Sequence, residues 1–480
     1  MLFRQFFDPK LAQYAYLVGC QRTGEALIID PERDIDRYIE AAKAEGLRIV
    51  AVAETHIHAD FLSGAREFAH LYGTDIYLSD EGGADWASDW ARGGNYRTHF
   101  LRNGESFYVG EIEVQALHTP GHTPEHMSWL IIDRGGGAST PMGIATGDFI
   151  FVGDIGRPDL LEQAAGIHGI QEPSARQLYA SLPRFRALEE HLQVWPAHGA
   201  GSTCGKALGA VPQTTVGYEK RYNASLSAAE AGENAFVSAI LSGQPEPQMY
   251  FARMKRDNNR GVPVLGGLPR PEEFDAMALR QIVHQGHTLV IDTRTDRERF
   301  MAGHIPGALF APISSKLFNT FVGSLVIDET QPILLVIEPE KLEEAVRDLV
   351  RIGYDNLIGF ATPDTLATYF AEGGPKAEIR RITFAGMKEM MSQPENAVLD
   401  VRFTTERDEQ GAVPASAHAP YTRLPSYLED RVPKGRKLLV HCQTGVRAAV
   451  CSSFLAREGF DVVHVDEPYS AWQALEAARL

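Results

Sequence analysis

The chain is poor in cysteine, in net positive charge and in long apolar runs, and each shortage excludes something. Its four cysteines in 480 residues, Cys20, Cys204, Cys442 and Cys451, are too few for a disulfide framework and fit a reducing compartment with free thiols. Lys plus Arg number 46 against 63 Asp plus Glu, a formal charge of −17. That charge repels nucleic-acid phosphate and anionic lipid, so neither a nucleic acid nor a membrane is expected as partner. No apolar stretch approaches the ~20 residues of a membrane span. The opening M-L-F-R-Q-F-F-D-P-K lacks the basic, apolar and small-residue zones of a secretory leader, so a cytoplasmic protein is expected. At ~100–200 residues per domain the length predicts about three domains.

What is present is a set of apolar runs that each end in potential metal ligands. Arg48 to Ala53 leads into E-T-H-I-H-A-D, Ile112 to Leu117 into H-T-P-G-H-T-P-E-H, Met142 to Ala145 into T-G-D, and Leu192 to Trp195 into P-A-H-G. Continuous apolar runs predict strands covered on both faces, and ligands at strand ends are where layered α/β folds place their chemistry. Singly, each of these residues is as ordinary as any surface histidine or capping aspartate; together, His56, His122 and Asp148 offer two imidazoles and a carboxylate, with His58, Asp60 and His198 close by. In order and spacing, T-H-I-H-A-D, T-P-G-H-T-P, T-G-D and P-A-H-G resemble the metallo-β-lactamase superfamily. The resemblance implies an αββα sandwich over residues 1–240.

Members with two metals usually carry His directly after the motif Asp, whereas here Phe61 follows Asp60. A ligand of the second site is missing, so one metal ion per chain is expected. Two imidazoles and a carboxylate form the arrangement that leaves open positions on Fe(II), and Zn(II) accepts the same ligands. Within the superfamily the chain looks most like the persulfide dioxygenases. That likeness implies Fe(II) on His56, His122 and Asp148, with His58, Asp60 and His198 supporting the ligands, and a low-molecular-weight thiol persulfide and O2 as substrates. Arg157, in F-V-G-D-I-G-R-P-D-L, resembles the family's arginine for the thiol carrier; a structural arginine paired with Asp154 or Asp159 is equally open. Cys204, six residues after His198, is a second candidate for substrate sulfur, against the alternative of a small buried thiol.

The remainder of the chain is an imperfect repeat. T-L-V-I-D-T-R at Thr288 is echoed by A-V-L-D-V-R at Ala397, and P-I-L-L-V-I-E-P-E at Pro332 by K-L-L-V-H-C-Q-T-G at Lys437, a separation of about 105 to 110 residues. The pattern predicts two α/β domains of one kind, at 264–374 and 375–480, after a linker at 241–263. In the second copy a strand delivers Cys442 to a glycine-bearing loop and a helix begins near Arg447. Backbone N–H groups and the helix dipole would then favour the reactive thiolate, with Arg447 available to an oxyanion. Four residues separate Cys442 from Arg447, and with D-V-R at Asp400 upstream the loop resembles the rhodanese sulfurtransferases. In the first copy Glu338 and Glu343 stand at the two matching positions. Two carboxylates supply no thiol nucleophile and repel anions, so this copy is expected to be silent, a spacer, packing surface or dimer contact.

Together the resemblances imply oxidation of a thiol persulfide to sulfite and thiol, coupled to sulfane-sulfur transfer among persulfide, sulfite and thiosulfate at Cys442, in a chain expected to form a homo-oligomer. Two rivals stand beside this: a glyoxalase-II-like thioester hydrolase with accessory rhodanese domains, and a sulfur carrier or sensor that does not turn over oxygen.

Overall fold

In the strand Gln13–Cys20 the residues Tyr14, Tyr16, Val18 and Cys20 enter one core while Ala15 and Leu17 enter another. Both faces are covered, which is why the run shows no polar alternation. The computed structural model describes residues 1–160, 162 and 169–478. The chain divides into two units, Met1–Gly267 with Val350–Gly353, and Leu268–Leu349 with Tyr354–Leu480.

The first unit holds two six-stranded sheets. One runs in chain order, β1 (Leu2–Asp8), β2 (Gln13–Cys20), β3 (Glu25–Ile29), β4 (Arg48–Ala53), β5 (Asp75–Ser79) and β6 (Thr98–Leu101). The other comprises β7 (Ser106–Val109), β8 (Ile112–His118), β9 (Met127–Asp133), β10 (Gly143–Gly147), β11 (Gln193–Pro196) and β12 (Thr214–Thr215), in the order β12-β11-β10-β9-β8-β7. Their inner faces share one core, in which Leu27 and Ala53 of the first sheet meet Phe107, Trp129 and Trp195 of the second. Helices Asp36–Ala44 and Ala65–Tyr72 close the outer face of the first sheet. Helices Gln171–Arg186, Ala224–Glu230 and Glu233–Leu241 close that of the second. This is the αββα sandwich that the sequence motifs imply.

Residues 241–263 are more than a connection. They contain the helix Phe251–Arg260, whose buried Asn258 donates from Nδ2 to the carbonyls of His58 at 2.9 Å and Phe61 at 2.7 Å. That helix braces the H-x-H-x-D loop from behind.

The second unit holds two five-stranded sheets of one topology. Strands β13 (Glu272–Glu273), β14 (Leu289–Asp292), β15 (Leu309–Phe310), β16 (Ile333–Val336) and β17 (Leu357–Ala361) lie in the order β13-β17-β16-β14-β15. Strands β18 (Arg380–Ile382), β19 (Asn396–Asp400), β20 (Ala417–His418), β21 (Lys437–His441) and β22 (Val462–Val465) repeat it as β18-β22-β21-β19-β20. The D-x-R elements form the same clamp in both. Arg294 pairs with Asp292 and donates from Nη2 to the Gly303 carbonyl at 2.9 Å; Arg402 pairs with Asp400 and donates to the Gly411 carbonyl at 2.8 Å. A guanidinium fork suits this double duty. The clamp is present with or without the cysteine, so it belongs to the fold and not to the chemistry. No helix among the described residues is long and apolar enough to cross a membrane.

Candidate metal centre and sulfur-transfer loop

The carboxyl ends of β4, β8, β10 and β11 bring His56, His122, Asp148 and His198 into one buried cluster. One ligand atom each from His56, His122 and Asp148 lie within 4.8 Å of one another, and the three side chains are buried. Nε2 of His122 is 3.4 Å from Asp148 Oδ2.

The rings are held from behind. His122 Nδ1 donates to the Arg157 carbonyl at 3.0 Å and His198 Nδ1 to the Ala12 carbonyl at 3.2 Å. His56 Nδ1 is 2.9 Å from Thr55 Oγ1, which itself donates to Asp30 Oδ2 at 2.8 Å, so the ring is the donor. In all three the proton sits on Nδ1 and the Nε2 lone pair is free, the form a metal requires.

Burial drives the electrostatics. It holds the His56 ring well below the usual histidine pKa and His122 down to about 4, and it pushes Asp148 and Asp60 up to about 6. Among the described residues no N–H or hydroxyl group donates to either carboxylate oxygen of Asp148, which has the Cys204 thiol beside it, nor to Asp60 Oδ2, and His198 Nε2 is without a hydrogen-bond partner. Buried carboxylates facing neutral imidazoles are costly unless a cation joins them, so the donor set fits a divalent metal ion.

A pH dependence follows. Between the ordinary aspartate pKa and about 6 the folded, metal-free chain retains protons on Asp148 and Asp60 that the unfolded chain has released. The stabilisation from these two carboxyls is lost as pH rises through that window, while His56 and His122, held neutral below the ordinary histidine pKa, contribute in the opposite sense, and a bound cation displaces the carboxyl protons. Adding Zn(II) to metal-free protein is expected to raise the melting temperature by several degrees at pH 7.5 and hardly at all at pH 5, read by calorimetry.

The other residues expected at this site divide. His58 lies between Asp30, at 3.2 Å, and Glu54, at 3.1 Å. Burial alone would lower its pKa, but the two carboxylates outweigh that and hold the ring protonated. It thus serves as an ion-pair partner beneath the cluster. The Phe61 ring lies against it, tilted by 34° with ring centroids 4.4 Å apart.

Asp60 and His198 are 3.2 Å apart and form a second group with Cys204, again with ligand atoms within 4.8 Å. Burial and the charges of Asp148 and Asp60 push the Cys204 thiol pKa well up. A count based on Phe61 alone misses that a cysteine stands beside the same aspartate.

Arg157 is 1% exposed. It donates two hydrogen bonds to Asp159, from Nε at 2.9 Å and Nη2 at 2.7 Å, and donates from Nη1 to the Thr203 and Pro245 carbonyls at 3.0 and 2.7 Å. Its fork is engaged by the chain itself, so the structural alternative is the one seen. Its contribution to the site is the backbone carbonyl that orients His122.

One member was unassigned from sequence. His126 Nε2 accepts the Asp148 N–H at 3.0 Å, with its Nδ1 on Thr119 Oγ1 at 2.8 Å. Gly147 permits this approach: at φ +53 a Cβ there would lie 2.5 Å from His126 Nε2 and 2.7 Å from Thr55. The only hint was the spacing H-T-P-E-H. His126→Ala leaves a buried N–H unpaired next to Asp148 and is expected to weaken metal retention about tenfold to a hundredfold, measured by competition with a chromogenic chelator.

In the second unit β21 ends at His441, and Cys442 opens the loop into the helix Val446–Arg457. Its Sγ accepts N–H groups from Gly445 and Ala448, both at 3.2 Å. Gly445, at φ +94, turns the chain so that these donors converge. Arg447 differs from expectation: Glu406 takes both its Nη groups, each at 2.6 Å, so the guanidinium is matched by a carboxylate and is not free for an anion. Cys451 is buried on the same helix. In the first copy Glu338 and Glu343 are exposed, and Glu343 pairs with Arg347.

The comparisons with known proteins agree with this layout. The metallo-beta-lactamase superfamily model matches residues 8–198 and the rhodanese-like domain model residues 383–475. The solved structure of a metallo-beta-lactamase from Staphylococcus aureus subsp. aureus COL is 40% identical, covers 76% of this chain and 99% of its own, and superposes with a TM-score of 0.66. The mitochondrial persulfide dioxygenase ETHE1 of Bos taurus is 29% identical over 201 residues, 41% of this chain and 68% of that protein. The probable polyketide biosynthesis zinc-dependent hydrolase BaeB of Bacillus velezensis is 25% identical over 198 residues, 41% of this chain and 77% of that protein. The histidine and aspartate cluster at the strand ends thus lies inside the matched sandwich, and the chain belongs to the metallo-β-lactamase superfamily, with a rhodanese-like domain following in the same chain.

Proposed function

We propose that the chain is a sulfur-metabolising enzyme in which the first unit oxidises a thiol persulfide and Cys442 carries sulfane sulfur. The observation that carries the reading is the buried His56, His122 and Asp148 set, with ligand atoms within 4.8 Å, in one chain with a cysteine whose Sγ receives two backbone N–H groups. Similarity to persulfide dioxygenases of Bos taurus, Mus musculus and Homo sapiens supports it.

When bound, Fe(II) supplies open coordination positions and the redox chemistry that brings sulfur and dioxygen together. The protein's part is to hold three donors in the right protonation state. Thr55, Arg157 and His126 fix His56, His122 and Asp148 respectively, while His58, tied to Asp30 and Glu54, keeps charge balanced beneath them. In the overall reaction persulfide, O2 and water give thiol, sulfite and two protons. At Cys442, the thiolate forms an S–S bond with the outer sulfur of thiosulfate as sulfite departs with the bonding pair. The reverse direction returns that sulfur to sulfite, or to a thiol as a new persulfide.

A second reading has its own observation. Asp60, His198 and Cys204 also gather ligand atoms within 4.8 Å, and a second ion there would suit metal-activated hydrolysis of a thioester.

The deciding experiment loads metal-free protein anaerobically with Fe(II) or Zn(II), counts bound ions, and follows O2 uptake with glutathione persulfide beside hydrolysis of S-lactoylglutathione. One iron per chain with persulfide-dependent O2 uptake is the expected result. Two zinc ions with thioester hydrolysis and no O2 uptake would replace the oxidative reading by the hydrolytic one.

A further inference from the structure

The copy without a cysteine presses a cation against the loop of the copy that has one. Arg297 opens the helix Arg297–Ala302, which Asp296 caps by accepting the Glu298 and Arg299 N–H groups at 2.9 and 3.1 Å. From that anchored start its guanidinium reaches the Cys442 loop. Nη2 lies 3.1 Å from the point that a Cβ on Gly445 would occupy, and Gly445 is one of the two donors to Cys442 Sγ. Asp466, just beyond β22, accepts Nε at 2.6 Å and aims the group. Neither Nη of Arg297 donates a hydrogen bond among the described residues.

The other cations nearby are already used. Arg447 is matched Nη for Oε by Glu406. Arg381 is shared between Asp466, at 2.9 Å, and Glu298, at 3.1 Å. An oxyanion approaching Cys442 therefore meets a loop arginine whose two Nη groups are both taken by Glu406 and a second arginine, from the silent copy, that Asp466 holds through Nε while its two Nη groups stay open among the described residues. The two copies are also joined directly, through the Phe310 N–H donating to Ser453 Oγ on the helix that follows Cys442, at 2.9 Å.

We propose that Arg297 receives the sulfonate oxygens of thiosulfate, or those of sulfite in the reverse direction, while the outer sulfur meets Cys442. The silent copy is then part of the binding site and not a spacer. This rests on Cys442 being a sulfur carrier. No oxidant is needed: one S–S bond forms at Cys442, one breaks, and sulfite leaves with the electron pair, its oxygens held by the Nη donors.

The test uses full-length protein and Arg297→Gln. The KM for thiosulfate is expected to rise about tenfold, the usual scale for a lost charge-assisted contact, with kcat within about twofold. Alkylation of Cys442, followed by mass spectrometry, separates charge from bracing. The rate with anionic iodoacetate should fall about tenfold while that with neutral iodoacetamide holds within about twofold, and Arg297→Lys should recover much of both losses. An unchanged KM, or an equal slowing by both reagents that Lys does not rescue, would show that Arg297 only braces the loop and overturns the proposal. If the parent protein moves no sulfur from thiosulfate, the carrier reading of Cys442 fails and takes this inference with it; an active parent with an indifferent variant sinks the inference alone.

Discussion

Asp148→Asn is expected to abolish persulfide-dependent O2 uptake, with a loss of at least about a thousandfold, and to leave less than about a tenth of the iron bound after desalting. The reason lies in charge. Asp148 is fully enclosed, and among the described residues its oxygens face the His122 and His198 rings at 3.4 Å and the Cys204 thiol, so the carboxylate's negative charge is left for a cation. Asparagine keeps the shape, keeps the backbone N–H on His126 Nε2, and removes the charge. Because burial already pushes the Asp148 pKa up to about 6, the metal-free variant should melt no lower than the metal-free parent at pH 7.5, where the parent pays to hold a buried anion. Paired oxygen-electrode and elemental measurements check it; iron content and O2 uptake equal to the parent would remove Asp148 from the site.

Cys442→Ser gives the complementary result. Exchange between thiosulfate and sulfite, followed with labelled sulfite, should drop to background, a loss of at least about a thousandfold, because serine oxygen forms no persulfide. O2 uptake with persulfide should stay within about twofold of the parent, since Cys442 lies in the second unit and Asp148 in the first. The two variants together divide the chain's chemistry by unit. Loss of O2 uptake in Cys442→Ser would show that the two reactions are not separable.

Much of this was legible in the sequence, and the reason is local. Each ligand follows its own strand within a few residues, so the order H-x-H-x-D, G-H-T-P, T-G-D, P-A-H-G transmits both the sandwich and the rim where the groups meet. The repeat was legible because β14 and β19 carry their D-x-R clamp in one short run. What escaped was set by pairs distant in the chain. Glu406 meets Arg447 from a different helix, so the arginine looked free. Arg157 faces a carboxylate two positions away, but it is the carbonyls of Thr203 and Pro245 that complete its enclosure. Cys204 is near His198 in sequence, yet only the turn through Gly199 and Ser202 returns its sulfur to Asp60. Phe61 correctly marks a missing histidine, but a neighbour count along the chain cannot see a donor arriving from another loop. Arg297 was passed over because it belongs to the copy without a nucleophile.

The hydrogen bonds behind His56, His122 and His198 leave all three rings locked before any ion arrives. A cage set in advance discriminates little among divalent cations of similar size, and intrinsic affinity at such nitrogen and oxygen donors favours copper and zinc over ferrous iron. Occupancy is then decided by supply during synthesis. Cells grown in zinc-rich and in iron-rich medium should yield the same polypeptide as two different metalloforms.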